Sequence, residues 1–154
     1  MPKLPWFFLP LLGGGVLPLH SQVVPVQANI DAQAQRRLQS DAQESIRRRR
    51  IDENIRRMVT ALNPSNLTDT NGAILIRQSM AALADLQNEH VSPQEAMQQA
   101  LKKSTLDSST TQKTTAYLLD CWGSVSDRLT PENLQALRKG EEPKPPLNLP
   151  PYLP

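Results

Sequence analysis

The sequence predicts an all-α protein, and three observations favour this class. Aromatic residues make up only 4% of the 154-residue chain, and a core of Leu, Ile, Val, Met and Ala suits helices better than a β-sandwich. No segment alternates apolar and polar residues as a half-buried strand would. Between positions 29 and 140 the prolines, Pro64, Pro93 and Pro131, lie where a helix would begin or end. We expect a small bundle of about five helices, with a projecting N-terminal helical arm and an extended proline-rich C-terminal tail.

Residues 1–28 have the organisation of an export signal. Lys3 and the terminal amine precede an apolar stretch that ends in Val26-Gln27-Ala28, which places small residues at the −3 and −1 positions of a cleavage site. Prolines and a triple glycine interrupt the stretch, whereas a membrane-spanning helix needs about 20 nearly continuous apolar residues. We expect cleavage after Ala28 and an extracytoplasmic location, whether periplasmic, lumenal or secreted. An uncleaved membrane anchor and a cytosolic protein with a disordered N-terminus are the alternatives.

Residues 29–50 are expected to form the helical arm. The first helix should run from about Ile30 to Leu62, but its apolar positions form two rows whose centres lie about 120° apart on a straight helix. The upstream row, spaced by four residues, consists of Ile30, Ala34, Leu38, Ala42 and Ile46, and the downstream row consists of Ile51, Ile55, Met58, Val59 and Leu62. One neighbour cannot cover both rows, so the helix either bends near 47–50 or projects. We expect projection, because Gln, Arg and Asp surround the upstream row.

Residues 51–140 are expected to fold as the bundle, with further helices over about 72–88, 93–103, 110–127 and 131–139. Ser92-Pro93-Gln94-Glu95 is a capping box with proline at the first helical position. Thr130-Pro131 repeats the pattern, and Gly140 ends the last helix. Helical spacing predicts these core residues beyond the first helix: Ile76, Met80, Leu83, Ala84, Leu86, Ala96, Met97, Ala100, Leu101, Leu118, Cys121, Trp122, Val125 and Leu129.

Residues 141–154 form a proline-rich tail that cannot continue a helix. Six prolines in the last twelve residues predict an extended chain, largely polyproline II. Such a segment is disordered unless it packs on something, and a partner-docking tail is the alternative interpretation. Its apolar residues Leu147, Leu149 and Tyr152 would then contact the partner.

Arg47-Arg48-Arg49-Arg50 is the most conspicuous local run of charge. Four consecutive helical residues spread around the whole helix and cannot form one basic face. Acidic residues lie four positions from several arginines and can form ion pairs along the helix: Asp52 with Arg48, and Glu53 with Arg49 and Arg57. We therefore expect a solvated, self-paired surface, with anion binding as the alternative.

Residues 83–96 have the sequence pattern of a helix-turn-helix, in which one helix ends and a capped second helix begins after a turn. The second helix begins Pro93-Gln94-Glu95, which would present an acid to any phosphate. An ordinary helical hairpin is the better interpretation, and we expect no nucleic-acid partner.

Cys121 and His90 are the only thiol and imidazole that would remain after cleavage. Cys121 lies in an apolar row beside Trp122, where a buried, inert thiol is expected. No carboxylates are spaced as a metal or acid–base site. We therefore expect neither enzymatic activity nor a cofactor or metal, with an enzyme built on Cys121 as the rival.

By elimination, the sequence predicts an exported small helical protein with a structural or partner-binding role. Its partner would be another protein, free or membrane-associated, and its own oligomeric state is open. The alternative is a cytosolic nucleic-acid-binding protein that uses the arginine run and the helical hairpin. The expected contact residues are Ile30, Leu38, Ile46, Arg47, Arg50, Leu147, Leu149 and Tyr152.

Overall fold

A computed structural model describes the backbone of residues 17–154 and the side chains of residues 26–154. This part of the chain is all-α, as predicted, with six helices and no strand. The helices are α1 Leu17–Ala61, α2 Pro64–Thr68, α3 Gly72–Asn88, α4 Pro93–Lys103, α5 Ser108–Val125 and α6 Pro131–Arg138. None of these helices has both the length and the apolar character needed to cross a membrane. The predicted export signal at 1–28 lies largely outside the described residues.

Helix α1 begins well upstream of its predicted start at Ile30. It starts at Leu17 and ends at Ala61. The predicted start is wrong because the helix accommodates both Pro18 and Pro25. Pro18 occupies the first turn, where its missing N–H has no intrahelical acceptor, and the helix continues through Pro25 despite the backbone bond lost there.

The chain divides into two compact units, Met1–Ile46 and Arg47–Pro154. In the first unit, helix α1 exposes nearly all of its described side chains. The second unit contains the end of α1, helices α2 to α6 and the proline-rich tail. The predicted boundary between arm and bundle, after Arg50, falls close to this division.

The hydrophobic core of the second unit follows the predicted helical rows. From α1 it receives Ile55 and Met58, both fully buried, as the downstream row of that helix predicts. Two predicted core residues are exceptions: Leu101 remains 37% exposed at the end of α4, and Leu129 is only partly buried. The other buried apolar residues of α3, α4, α5 and α6 are Ile76, Met80, Ala81, Ala82, Leu83, Ala84, Leu86, Ala96, Met97, Ala100, Leu118, Cys121, Trp122, Val125 and Leu137.

The short helix α2 was not predicted. Pro64 follows the end of α1 and also occupies the first turn of a new helix. The Asn63 side chain accepts a hydrogen bond from the Ser65 backbone N–H at 3.1 Å and so caps this helix. Leu67, on the other side of the turn, is buried in the core. An Asn-Pro pair is therefore both a stop and a start signal.

The other caps confirm the predicted helix starts, with one shift. The Ser92 Oγ accepts the Glu95 N–H at 3.1 Å, and the Thr130 Oγ1 accepts the Asn133 N–H at 3.2 Å. Helix α5 begins at Ser108 rather than Thr110, because Asp107 is its cap and accepts the Thr110 N–H at 2.8 Å. Hydrogen bonds from Thr110, and then from Ser109, hold the pKa of Asp107 below its ordinary value.

The helix ends fall slightly earlier than predicted. Helix α5 ends at Val125 rather than Asp127, and α6 ends at Arg138 rather than Lys139. Beyond α6, Gly140 adopts φ +76°, and the N–H of Glu141 bonds back to the Ala136 carbonyl at 2.9 Å. This is the left-handed termination that the glycine predicted.

Candidate partner-binding surfaces

Helix α1 exposes a row of apolar residues in the first unit. Ile30, Leu38 and Ile46 are 56%, 70% and 51% exposed, and the alanines between them, Ala34 and Ala42, are exposed too. We call these five residues the arm row. A single exposed Leu needs no explanation, but three large residues in one row that winds around the helix form a surface that other apolar groups can cover.

The predicted contact residues fall in both units. Ile30, Leu38 and Ile46 belong to the first unit, whereas Arg47, Arg50 and the tail residues belong to the second. Partner binding by the arm row stays a prediction. The surfaces of the second unit have intramolecular roles that the sequence did not reveal.

Arg47 and Arg50 both bind Glu89, the residue that follows the last turn of α3. The Arg47 Nη2 donates to the Glu89 backbone carbonyl at 2.6 Å, and its Nε lies 3.3 Å from Glu89 Oε2. The Arg50 Nη2 lies 2.8 Å from Glu89 Oε1. A cation at a helix C-terminus is favoured by the helix dipole. These two arginines therefore connect α1 to α3 within the second unit.

The ion pairs of α1 include both a predicted pair within the helix and a pair with another helix. Arg57 and Glu53 form the expected pair at 2.7 Å. Asp52, however, lies 3.2 Å from the Lys103 Nζ at the end of α4. Spacing along one helix could not reveal Glu89 or Lys103 as partners, because both are distant in sequence.

The proline-rich tail packs on its own unit. Leu147 is 5% exposed and part of the core, and Leu149 and Tyr152 are half-buried against it. The Tyr152 ring meets the Tyr117 ring edge to face, with 5.1 Å between centroids. The tail is extended, as predicted. Its apolar residues, however, pack against the same chain, and partner contact by Leu147, Leu149 and Tyr152 stays a prediction.

Two arginines of the bundle hold the tail backbone, and neither was predicted as a functional residue. The Arg77 Nη1 donates to the Gly140 carbonyl at 3.0 Å, and its Nη2 lies 3.7 Å from Glu142 Oε2. The Arg128 Nη2 donates to the Leu147 carbonyl at 3.1 Å. An extended segment without internal hydrogen bonds needs such external donors for its carbonyls. The arginines therefore fix the path of the tail.

A cavity of about 400 Å³ lies between the tail and the helices. Its helical wall includes Leu67, Ala73 and Ile76, and the tail contributes Leu147 and Leu149. This volume is within the range of small-ligand pockets. Arg77, Glu142 and Asn148 also line the cavity, so its wall combines apolar and polar groups.

Cys121 is fully buried, as the sequence predicted. Burial raises the pKa of its thiol, so the reactive thiolate is disfavoured. Burial, and then hydrogen bonding with Cys121, also raises the pKa of the Tyr117 hydroxyl. His90 is an exposed residue of the turn between α3 and α4. The environment of Cys121 is therefore that of a packed core thiol.

No metal site is evident in the described part of the chain, where no three His, Cys, Asp or Glu residues are grouped to hold an ion. Comparisons with models of known protein families, with curated proteins and with solved structures find no match. The function is therefore inferred from the chain's own residues.

Proposed function

We propose that this protein is an exported, non-catalytic binding protein that docks on another protein through its N-terminal helical arm. The arm row carries the proposal, because Ile30, Leu38 and Ile46 expose half or more of their surface on one helix. Covering one such side chain contributes about 1–2 kcal/mol. Three of them offset part of the cost of association, which is about 4–15 kcal/mol.

The row lies within the part of the chain that export would retain. Cleavage after Ala28 removes the apolar N-terminal stretch and leaves Ile30 to Ile46 intact. Most of the stability of a protein helix comes from packing of its apolar face rather than from intrinsic helix propensity. A mature chain would therefore gain stability along the arm when a partner binds.

The alternative, nucleic-acid binding, has less support from the geometry. Glu89 accepts both Arg47 and Arg50, which reduces the charge available to a phosphate. Glu95 is exposed in the first turn of α4, where a base-reading helix would present donors. The formal net charge of the whole chain is only +2.

Site-specific photocross-linking in the native cells tests the binding role. A photoreactive side chain at Leu38 is compared with one at Ser40, which is also exposed but lies about 160° away around the helix. We expect a protein adduct from position 38 and little from position 40. No adduct from position 38, or equal adducts from both positions, would contradict docking through the arm row.

Intact-mass measurement of the natively expressed protein tests export separately. We expect a mature chain that begins at Asn29. A soluble chain that retains Met1 in the cytosolic fraction would contradict export and would favour the nucleic-acid alternative.

A further inference from the structure

We propose that the partner of the arm row is a second copy of this chain, which crosses antiparallel with a two-fold axis at Leu38. The inference rests on the proposed docking role of the arm and names its partner. Three features of the described helix support it: the symmetry of the row, the angle at which it winds, and the charges beside it.

The arm row reads the same in both directions from Leu38. The alanines lie four residues away on either side, at 34 and 42, and the isoleucines lie eight residues away, at 30 and 46. An antiparallel copy therefore places Ile30 beside Ile46 of the other copy, Ala34 beside Ala42, and Leu38 beside itself. Large residues meet large ones and small residues meet small ones, as a self-complementary two-fold interface requires. Val26 lies about 120° from Leu38 and off this face.

The winding of the row selects the crossing angle. A four-residue spacing advances about 40° per step on a helix, so the row is a ridge of the i±4 type, inclined about 26° to the axis. A parallel-axis coiled coil needs a spacing of about 3.5 residues and would leave Ile30 or Ile46 uncovered. Two i±4 ridges pack side by side when the helices cross at about −50°. The alanines then lie near the closest approach, and the isoleucines reach across where the helices separate.

The charges beside the row select the antiparallel orientation. Arg37 and Asp41 lie on the same side of the arm row. In an antiparallel pair that side faces its own symmetry mate, so Arg37 of each copy comes opposite Asp41 of the other. A parallel pair would place these charges opposite Gln35 and Gln39 instead. Antiparallel helix dipoles add to the preference.

The interface is small. One helix crossing covers less than the roughly 1,600 Å² of a standard stable interface, so we expect a reversible dimer with a dissociation constant in the micromolar range or above. Sedimentation of the full chain over a wide concentration range should show a monomer–dimer equilibrium. A wild-type chain that stays monomeric up to millimolar concentration would overturn the inference.

Charge substitutions test the row directly. Leu38→Asp should weaken dimerisation at least tenfold, because it buries two carboxylates against each other at the axis. Ser40→Asp adds the same charge on the opposite face of the same helix and should leave the equilibrium unchanged. Both positions are exposed, so the melting temperatures should match that of wild type. A Leu38→Asp dimer as tight as the wild type, or equal weakening by Ser40→Asp, would overturn the inference.

Cysteine cross-linking tests the orientation. Leu38→Cys should cross-link to itself with a short bis-maleimide, and Cys121, being buried, leaves wild type as the uncross-linked control. Ile30→Cys and Ile46→Cys should each cross-link poorly alone and well when the two variants are mixed. Efficient self-cross-linking of each variant alone would indicate a parallel pair and overturn the antiparallel assignment.

The photocross-linking experiment at position 38 separates the two proposals. An adduct of twice the chain mass supports self-association. Adducts with a different protein, and none with the chain itself, would overturn this inference and leave the docking role of the arm standing. The absence of any adduct would overturn both.

Discussion

The Tyr117 hydroxyl donates a hydrogen bond of 2.5 Å to the Pro150 carbonyl, and this bond joins the middle of α5 to the end of the proline-rich tail. The same tyrosine packs edge to face on Tyr152, two residues further along the tail. Edge-to-face aromatic pairs contribute about 0.5–1.5 kcal/mol beyond burial. Tyr117 therefore holds a segment whose composition alone predicts disorder.

Tyr117→Phe should loosen the end of the tail without unfolding the bundle. It removes a hydrogen bond of about 1 kcal/mol and keeps the ring contact. The tail should open about five times more often, which chymotrypsin cleavage after Tyr152 would detect. Tyr152→Phe is the matched control, because it also removes a tyrosine hydroxyl. Equal cleavage rates in wild type and Tyr117→Phe would show that the bond does not hold the tail.

Stability should fall at alkaline pH because of Tyr117. Burial raises the pKa of its hydroxyl above the ordinary value of 10.0, so the folded state keeps a proton that the unfolded state loses. This contribution is fully present below about pH 10 and is lost as the pH rises further. Urea unfolding at several pH values between about 9 and 11.5 should show a smaller pH dependence in Tyr117→Phe than in wild type. If the free energy of unfolding depended on pH equally in the two proteins, Tyr117 would not be the source of the alkaline loss of stability.

Leu147→Ala should destabilise the second unit by about 2–4 kcal/mol, as expected for a buried leucine truncated to alanine. Leu147 is 5% exposed and part of the core. Leu153→Ala is the control within the same tail, because Leu153 is 71% exposed and should change stability by less than about 0.5 kcal/mol. Chemical denaturation measures both. Equal small effects would mean that the tail does not contribute to the core.

Alanine substitutions at two glycines should change the stability of the second unit in opposite directions. Gly140 has φ +76°, and an added Cβ would lie 2.5 Å from the Ile74 Cγ2, so Gly140→Ala should cost about 1–3 kcal/mol. Gly123 lies in α5 with nothing within 4 Å of an added Cβ, so Gly123→Ala should stabilise by about 0.5–1 kcal/mol. Thermal unfolding measures both, and a stabilising Gly140→Ala would contradict the assigned C-terminal turn.

The local signals in the sequence predicted most of the helices. The Ser92 and Thr130 caps and Gly140 all act through backbone groups within a few residues, so the sequence contains everything that they need. The signal for α2 is local as well, because Asn63 caps this helix and Pro64 begins it, but the predicted helices did not include it. The misplaced start of α1 has another origin, because the helix continues through Pro25 although a proline there removes a backbone hydrogen bond.

The side-chain partners required the tertiary structure. Glu89 lies 42 residues from Arg47, and Arg128 lies 19 residues from the Leu147 carbonyl that it binds. No periodic pattern reports such pairs, because they depend on which helix faces which. The two arginines of the predicted contact set thus proved to bind within the second unit.

The sequence by itself determined the all-α class, most helix boundaries and the arm row, because capping and helical periodicity are local properties of the chain. The tertiary structure decided whether the tail packs against the helices. Prolines exclude a helix there, but burial of Leu147 depends on the apolar surface that the helices of the bundle assemble around it. Leu38 is exposed and Leu147 is buried although both have the same side chain, so only the surrounding fold distinguishes them.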